Sequence, residues 1–317
     1  MATLAMTMQD MVGDVLQYRV QETYATASAA NKADALRLLN HGYRRALRAG
    51  YMDSDGPAQH RWTFLEPATS IVLWAASSST LDGAPTGSGP STVTVDDAIF
   101  YDTMIGHTLT IGLNTYTIAT VTNTKVCTVT EDASGEVDET ACSLTPPGWY
   151  PLPADWGGMV DPPAYQYTEG DEVNIELNRC SPETIRASWR TAQGADDTDE
   201  PTDYAVEPTT HVDTTGTRWR LLVYPIPDQN RTLAYRYAVT PAAIEDSITK
   251  YPYGGPLIAD LIVTAAKAYA EKEVGDTAGV WEGMYQATLG ECIAWDRNAM
   301  GESPTEQLTD VDTGLSV

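Results

Sequence analysis

ALRLLNHGYRRALRAG, residues 35–50, reads as most of a long amphipathic helix. Leu36, Leu39, Tyr43, Ala46 and Leu47 fall on one apolar stripe at the spacing that 3.6 residues per turn demands. Asn31 stands where a cap is needed, Asp34 holds the capping-box position, and Gly50 is a natural stop. Arg37, His41, Arg44 and Arg48 return to one narrow strip, because steps of four, three and four residues bring side chains back to the same face. That strip has two readings: a face that docks on an acidic neighbour, or an ordinary solvated face. What lies on either side of this helix decides the fold class.

Upstream, Leu4, Met8, Met11, Val12, Val15 and Leu16 predict a first helix with the same rhythm. Downstream of Arg61 the pattern turns to short β-like runs. TSIVLWAA (69–76) is a strand candidate, and SSSTLDGAPTGSGPS (77–91) reads as a Ser/Gly/Pro linker. STVTV (91–95), HTLTIG (107–112), TYTIATVT (115–122) and VCTVTED (126–132) are short, β-branched and separated by turns, as in a small barrel or sandwich. This unit reads as an insertion ending at Pro146-Pro147. Farther on, TRWRLLVYPIPDQNRTLAYRYAV predicts two alternating strands around a PIPDQN turn, with Leu233, Tyr235, Tyr237 and Val239 on one face.

Helices return at the end. Pro256 suits a first helical turn, and Leu257, Ile258, Leu261, Ile262, Ala265, Ala268 and Tyr269 form a stripe running up to Gly275. A last helix is expected to align Trp281, Tyr285, Thr288, Cys292 and Trp295. The expected class is therefore α+β: a bundle of N- and C-terminal helices with a β-rich middle that carries a small β barrel or sandwich. The expected division is an N-terminal helical part (1–66), strand and linker (67–82), inserted module (83–146), β domain (147–240), C-terminal helices (241–301) and an acidic tail (302–317) with no amphipathic period.

Composition narrows the function classes. Of the 317 residues 42% are hydrophobic and 20% charged, and mean hydropathy is −0.28, an ordinary globular balance. No apolar run reaches the ~18 residues of a membrane span. MATLAMTMQDMVGDVLQ has no basic start of the signal-peptide kind, so a cytosolic origin is expected. Net charge is −25 and unevenly spread. Residues 1–50 hold six basic and four acidic side chains, whereas residues 81–213 hold 23 acidic and four basic ones. Such a field repels phosphates, so a conventional nucleic-acid binder is disfavoured, while a surface that DNA slides past remains open.

Catalytic signatures are missing: no GxSxG elbow, HExxH, phosphate-binding loop or dinucleotide fingerprint occurs. His41, His60, His107 and His211 are scattered, with surface or packing roles expected. Cys127, Cys142, Cys180 and Cys292 lack metal or redox spacing, and whether Cys127 and Cys142 pair is open. Asp196, Asp197, Asp199, Glu200 and Asp203 form a candidate acidic surface; without the glycine and closing glutamate of an EF-hand it reads as a solvated loop rather than a calcium site. Asp53, Asp55 and Gly56 read as a turn. Carboxylate pairs of the glycosidase kind need only spatial separation, so a cell-wall glycosidase stays as a remote alternative. No cofactor, metal or catalytic residue is expected. Eight Trp and 17 Tyr against two Phe favour half-wet surfaces, which leans toward assembly.

Four segments in order, ALRLLNHGYRRALRAG (35–50), YPLPADWGGMV (150–160), WRLLVYPIPDQNRTLAYRYAVTP (219–241) and PLIADLIVTAAKAYA (256–270), resemble the head-to-tail adaptor (connector) proteins of tailed bacteriophages. IGHTLTIGLNTYTIATVT (105–122) is similar to small β modules of phage neck proteins. The resemblance implies a homo-oligomeric ring of about twelve copies, closed by a contact between two different patches. It also implies a portal protein on one side, a downstream neck or tail protein on the other, genomic DNA passing through the lumen unbound, and no membrane partner. The implied location is the virion, after assembly in the host cytoplasm. A tail-tube, nozzle or head-completion protein is the nearest alternative.

Overall fold

The computed structural model describes residues 6–53, 56–166, 176–191, 198–212, 216–275 and 279–299. The chain divides into a helical unit built from both ends, up to Pro67 and from Thr240, and a β unit, Ala68–Val239. In chain order the first part of the helical unit holds α1 (Met8–Val20), α2 (Ala29–Arg48), β1 (Gly50–Asp53) and β2 (Gly56–Gln59). The β unit then runs through β3 (Ala68–Leu73), β4 (Ser77–Thr80), β5 (Ser91–Thr94), β6 (Thr108–Ile111), β7 (Asn114–Asn123), β8 (Val126–Val129) and β9 (Ala141–Leu144). It continues with β10 (Trp149–Pro151), β11 (Trp156–Tyr165), β12 (Asn178–Arg179), α3 (Pro182–Thr191), β13 (Thr198–Asp199), β14 (Asp203–Val212), β15 (Gly216–Tyr224), β16 (Ile226–Pro227) and β17 (Arg231–Val239). The helical unit closes with α4 (Gly255–Gly275) and α5 (Val280–Ala299).

Each helix of the helical unit is placed by local chemistry and then by burial. α1 opens with a reciprocal capping box: Asp10 N–H donates to Thr7 Oγ1 at 3.1 Å and Thr7 N–H to Asp10 Oδ2 at 2.9 Å. Two more first-turn N–H groups, of Met8 and Gln9, donate to the carbonyls of Lys250 and Ser247, which ties the N-terminal helix to the segment before α4. α2 begins three residues earlier than the sequence suggests, capped by Ser28, with Asn31 inside the first turn and its amide donating to Glu22. Serine caps as well as asparagine does, and Ala29-Ala30 extend the helix at no propensity cost. Asn40 clips the partly buried chain at Ile244, accepting from its N–H at 2.9 Å and donating to its carbonyl at 3.1 Å.

The four helices share one core, in which Met11, Val15 and Leu16 meet Leu38, Leu39 and Tyr43 of α2, Leu261, Ile262 and Ala266 of α4, and Tyr285, Leu289 and Cys292 of α5. Two stripes are rotated from their expected positions. α2 buries Leu38 and Gly42 and leaves Leu36 and Leu47 half-covered. α5 buries Leu289, Ile293 and Asp296 and leaves Trp295 exposed. The opposing face of α4 is largely alanine, which admits close backbone approach and branched aliphatics rather than a row of indoles.

Within the β unit, six strands in the order β4-β9-β6-β7-β8-β5 form a sheet that curls back on itself. Its end strands meet at the Leu81↔Val95 bridge, with Asp82 N–H donating to Thr94 O and Asp96 N–H to Thr80 O, both at 3.0 Å. This contact covers part of the two end strands' edges, which would otherwise invite pairing. Leu81, Val93, Val95, Leu109, Ile111, Ile118, Val129 and Leu144 are buried with Phe100 and Met104. The Ser-rich run read as linker is thus partly strand: Ser77–Thr80 pairs with Ala141–Leu144. Cys127 and Cys142 are free, buried thiols. Burial pushes Cys127 up to about 12, with Cys142 adding to it, and burial likewise lifts Cys142 to about 11, so neither is a nucleophile near neutral pH.

The remaining strands form a four-stranded sheet, β10-β15-β14-β12, a three-stranded sheet, β11-β17-β3, and the short pair β13-β16. The expected hairpin around PIPDQN is not one. β15 pairs with β10 and β14, β17 pairs with β3 and β11, and between them Ile226–Pro227 runs parallel to Thr198–Asp199. Pro225 and Pro227 lack the N–H groups a tight hairpin ladder needs, so the segment crosses between sheets instead. The inward alternation of Leu233, Tyr235, Tyr237 and Val239 holds. α3 lies inside the stretch expected to be a β domain; Ser181 Oγ accepts from Thr184 N–H, Pro182 sits in the first turn, and Ile185 packs with Ala205 and Leu222.

Candidate functional site

The strip on α2 divides into engaged and unengaged cations. Arg37 donates to both oxygens of Glu273, at 2.8 and 2.9 Å, and to Asp34 from Nε and Nη2 at 3.0 and 2.8 Å. Those hydrogen bonds, Glu273 first, raise its pKa still further above the ordinary guanidinium value. His41 lies flat on Tyr269, 4.3 Å between centroids and 6° between planes. Arg44 and Arg48 are exposed and have no hydrogen bond or ion pair among the described residues. They belong to the last turns of α2, where cations offset the negative helix end, but no carboxylate of the described residues meets them.

Arg45, which the sequence reading left out, organises the ground beside them. It grips Glu282 of α5 with both terminal nitrogens, one bond measuring 2.8 Å, and its guanidinium lies 4.0 Å over the ring of Tyr285. The hydrogen bond to Glu282 is the main cause of its raised pKa, against a desolvation effect that lowers it. Tyr285 is thereby held between α5 and α2, and the two helices flank a cationic groove of about 490 Å³. His41, Arg44, Arg45, Arg48, Tyr285 and Gln286 line it. Sequence offered a signal for Arg45, which adjoins Arg44, but not for the α5 residues that meet it from some 240 positions away.

The candidate acidic surface does not come together as a site. Asp196 and Asp197 lie outside the described residues. Asp199 is exposed and accepts from the N–H of Glu200, Glu200 pairs with Arg231 at 3.0 Å, and Asp203 starts β14. Among the described residues no three His, Cys, Asp or Glu side chains are grouped to hold a metal ion. A second anionic segment, described along its whole length, is the loop 131–139, EDASGEVDE, between β8 and β9. Its carboxylates meet neutral donors: Glu131 takes Thr117 N–H (2.7 Å), Asp132 takes Ser134 N–H, Glu136 takes Asn114 and Tyr116, and Asp138 takes Gly83 N–H. Hydrogen bonds from Thr117 and Ser134 lower the pKa values of Glu131 and Asp132, which keeps both charged. Exposed Val137 and fully exposed Leu113, on the neighbouring turn, add apolar area.

The other histidines are structural. His60 is bonded to Asp296, and His211 lies on β14 beside Thr217. His107 is buried against Trp149, 3.9 Å between centroids, and edge-on to Trp74. Burial pulls its pKa down from 6.5 to about 4, opposed by a backbone hydrogen bond at Thr103 and helped by Arg220. The unfolded chain therefore takes a proton on this ring at a pH where the folded chain does not. Its contribution to stability is complete above about pH 6.5 and is lost as pH falls toward 4, levelling at about 2–3 kcal/mol. Urea unfolding at pH 7 and pH 4.5 should show this loss in the parent and a smaller one in His107→Phe. Equal losses in the two proteins would remove His107 from the acid response.

Among the described residues no helix is long and apolar enough to cross a membrane. Comparison with curated proteins finds no match. The sequence model of the SU10 adaptor protein family matches residues 117–307, a span from the middle of the closed β sheet through the end of α5. It thus takes in the α5 side of the cationic groove and the acidic loop, in agreement with the resemblance to head-to-tail adaptors carried by residues 150–160, 219–241 and 256–270. The chain belongs to the SU10 adaptor protein family.

Proposed function

We propose that the protein is a structural component of a tailed-phage virion, a head-to-tail adaptor that forms a closed ring of about twelve copies beneath the portal. In this reading the ring lengthens the DNA channel and presents a platform to the next neck or tail protein. It performs no catalysis and uses no cofactor. It is assembled in the host cytoplasm and stays at the capsid–tail junction. Family membership across residues 117–307 is the observation that carries the reading. The charge distribution supports it, since a net charge of −25 gives passing DNA few cations to grip. Two dissimilar patches of opposite charge also suit a head-to-tail contact repeated around an axis.

The test is the mass of the purified protein alone and with the portal, by light scattering or native mass spectrometry. A ring of about a dozen copies seated on the portal is expected. A protein that ignores the portal at micromolar concentration sinks the proposal.

A further inference from the structure

We propose that the groove between α2 and α5 is one half of the contact between copies, and that its occupant is the acidic loop 131–139 of a second copy of this chain; this rests on the ring reading above. The groove carries charge that the described residues do not neutralise. Arg37 and Arg45 are each clasped by glutamates, whereas Arg44 and Arg48, one helical turn apart, face solvent beside His41 and Gln286. Solvation alone accounts for two surface arginines, but not for the choice of partner if one arrives. On a chain with 44 acidic and 19 basic side chains, every other copy is a source of carboxylates.

The loop is the segment whose chemistry fits best. Five carboxylates fall within nine positions with no lysine or arginine among them, and none forms an ion pair with a described residue. Their neutral donors hold the loop in shape while leaving its charge uncompensated, so little ordering entropy is lost on docking. Val137 and Leu113 supply apolar area that the isolated chain leaves in water, 66% and 100% exposed. The two patches are different surfaces, so the contact is heterologous: it repeats from copy to copy, as the ring reading requires, rather than stopping at a two-fold dimer. Because the charges are exposed, the attraction is screened over ~10 Å at 0.1 M salt, and assembly should weaken as salt rises.

Charge reversal tests the pairing. Arg44→Glu/Arg48→Glu should stay folded with only the small loss that negative charge at a helix C-terminus brings, since neither side chain has a partner to lose among the described residues, yet form rings on the portal at least about tenfold less readily. Asp132→Lys/Glu139→Lys should fail alike, and the protein carrying all four substitutions should recover. Rings unaffected by the arginine reversal overturn the groove as a contact. Loss without recovery in the fourfold variant overturns the loop as its occupant. A parent that forms no ring removes the ring reading itself, and that result is distinct from either of the others.

Discussion

Asp296→Ala is expected to destabilise the helical unit by about 3 kcal/mol or more, the cost of removing one buried carboxylate from a network of hydrogen bonds. Asp296 is wholly buried. Its Oδ2 accepts from Thr63 N–H at 3.1 Å and stands 2.8 Å from His60 Nε2, and its Oδ1 accepts from the Thr63 hydroxyl at 2.5 Å. Alanine would strand three polar groups at once, and a buried donor without an acceptor costs about 1–3 kcal/mol each time. The damage should spread. His60 sits edge-on to Trp62, at 4.7 Å and 88°, and Trp62 donates its indole N–H to Ala46 O at 3.0 Å, so the carboxylate on α5 indirectly fixes the end of α2. A carboxylate in the last turn of a helix is unfavourable for the helix dipole, so helix propensity does not explain its presence. Thermal unfolding followed by the helical circular dichroism signal should show a midpoint lower by about 10 °C or more. Asp296→Asn, which keeps the shape and one acceptor, should lose distinctly less. If the alanine protein melts within a degree or two of the parent, the network does not hold the unit together.

How far the sequence could lead is visible in the same residues. Periodicity located α1, α2, α4 and α5 and set the buried face of α1, where Met11, Val12, Val15 and Leu16 are buried as their spacing implies; it misjudged the buried faces of α2 and α5 by a rotation, while the Tyr/Leu alternation of β17 points inward. Alternation does not say which strand pairs with which. TRWRLLVYPIPDQNRTLAYRYAV has the pattern of a hairpin, yet its halves lie in different sheets, because pairing is settled by partners such as β3 and β10 that are distant in sequence. The first strand of the curled sheet was hidden for a similar reason, since Ser77–Thr80 looks like linker until Ala141–Leu144 lies beside it. Asp296 and His60 gave no signal at all. An acid in a polar-looking last turn and a lone histidine 236 residues away become a unit only in space. For the cationic strip, spacing placed Arg37, His41, Arg44 and Arg48 on one face, but only the carboxylates of Asp34 and Glu273 separate the neutralised Arg37 from Arg44 and Arg48, which meet none among the described residues.

Gly42→Val should cost about 3 kcal/mol or more, because the space it would fill belongs to backbone. A Cβ at this position would lie 2.6 Å from Ile262 O, 2.7 Å from Ala266 N and 3.1 Å from Ala266 Cα. A clash with the tip of a side chain is relieved by a rotamer change; this one requires α2 and α4 to separate along their whole contact. Glycine inside a helix is itself unfavourable by about 1 kcal/mol relative to alanine, so by propensity alone Gly42→Ala would stabilise the protein. Packing reverses that sign, and even alanine should destabilise. Gly283 and Gly290 on α5 provide the internal control, since a Cβ there meets nothing within 4 Å. Replacing either with alanine should raise stability by about 0.5–1 kcal/mol. Urea midpoints of the four variants give the comparison directly. If Gly42→Ala shifts in the same direction as Gly290→Ala, α2 and α4 do not touch backbone to backbone. The alanine face of α4 would then need another explanation than making room for the helix that carries the arginine strip.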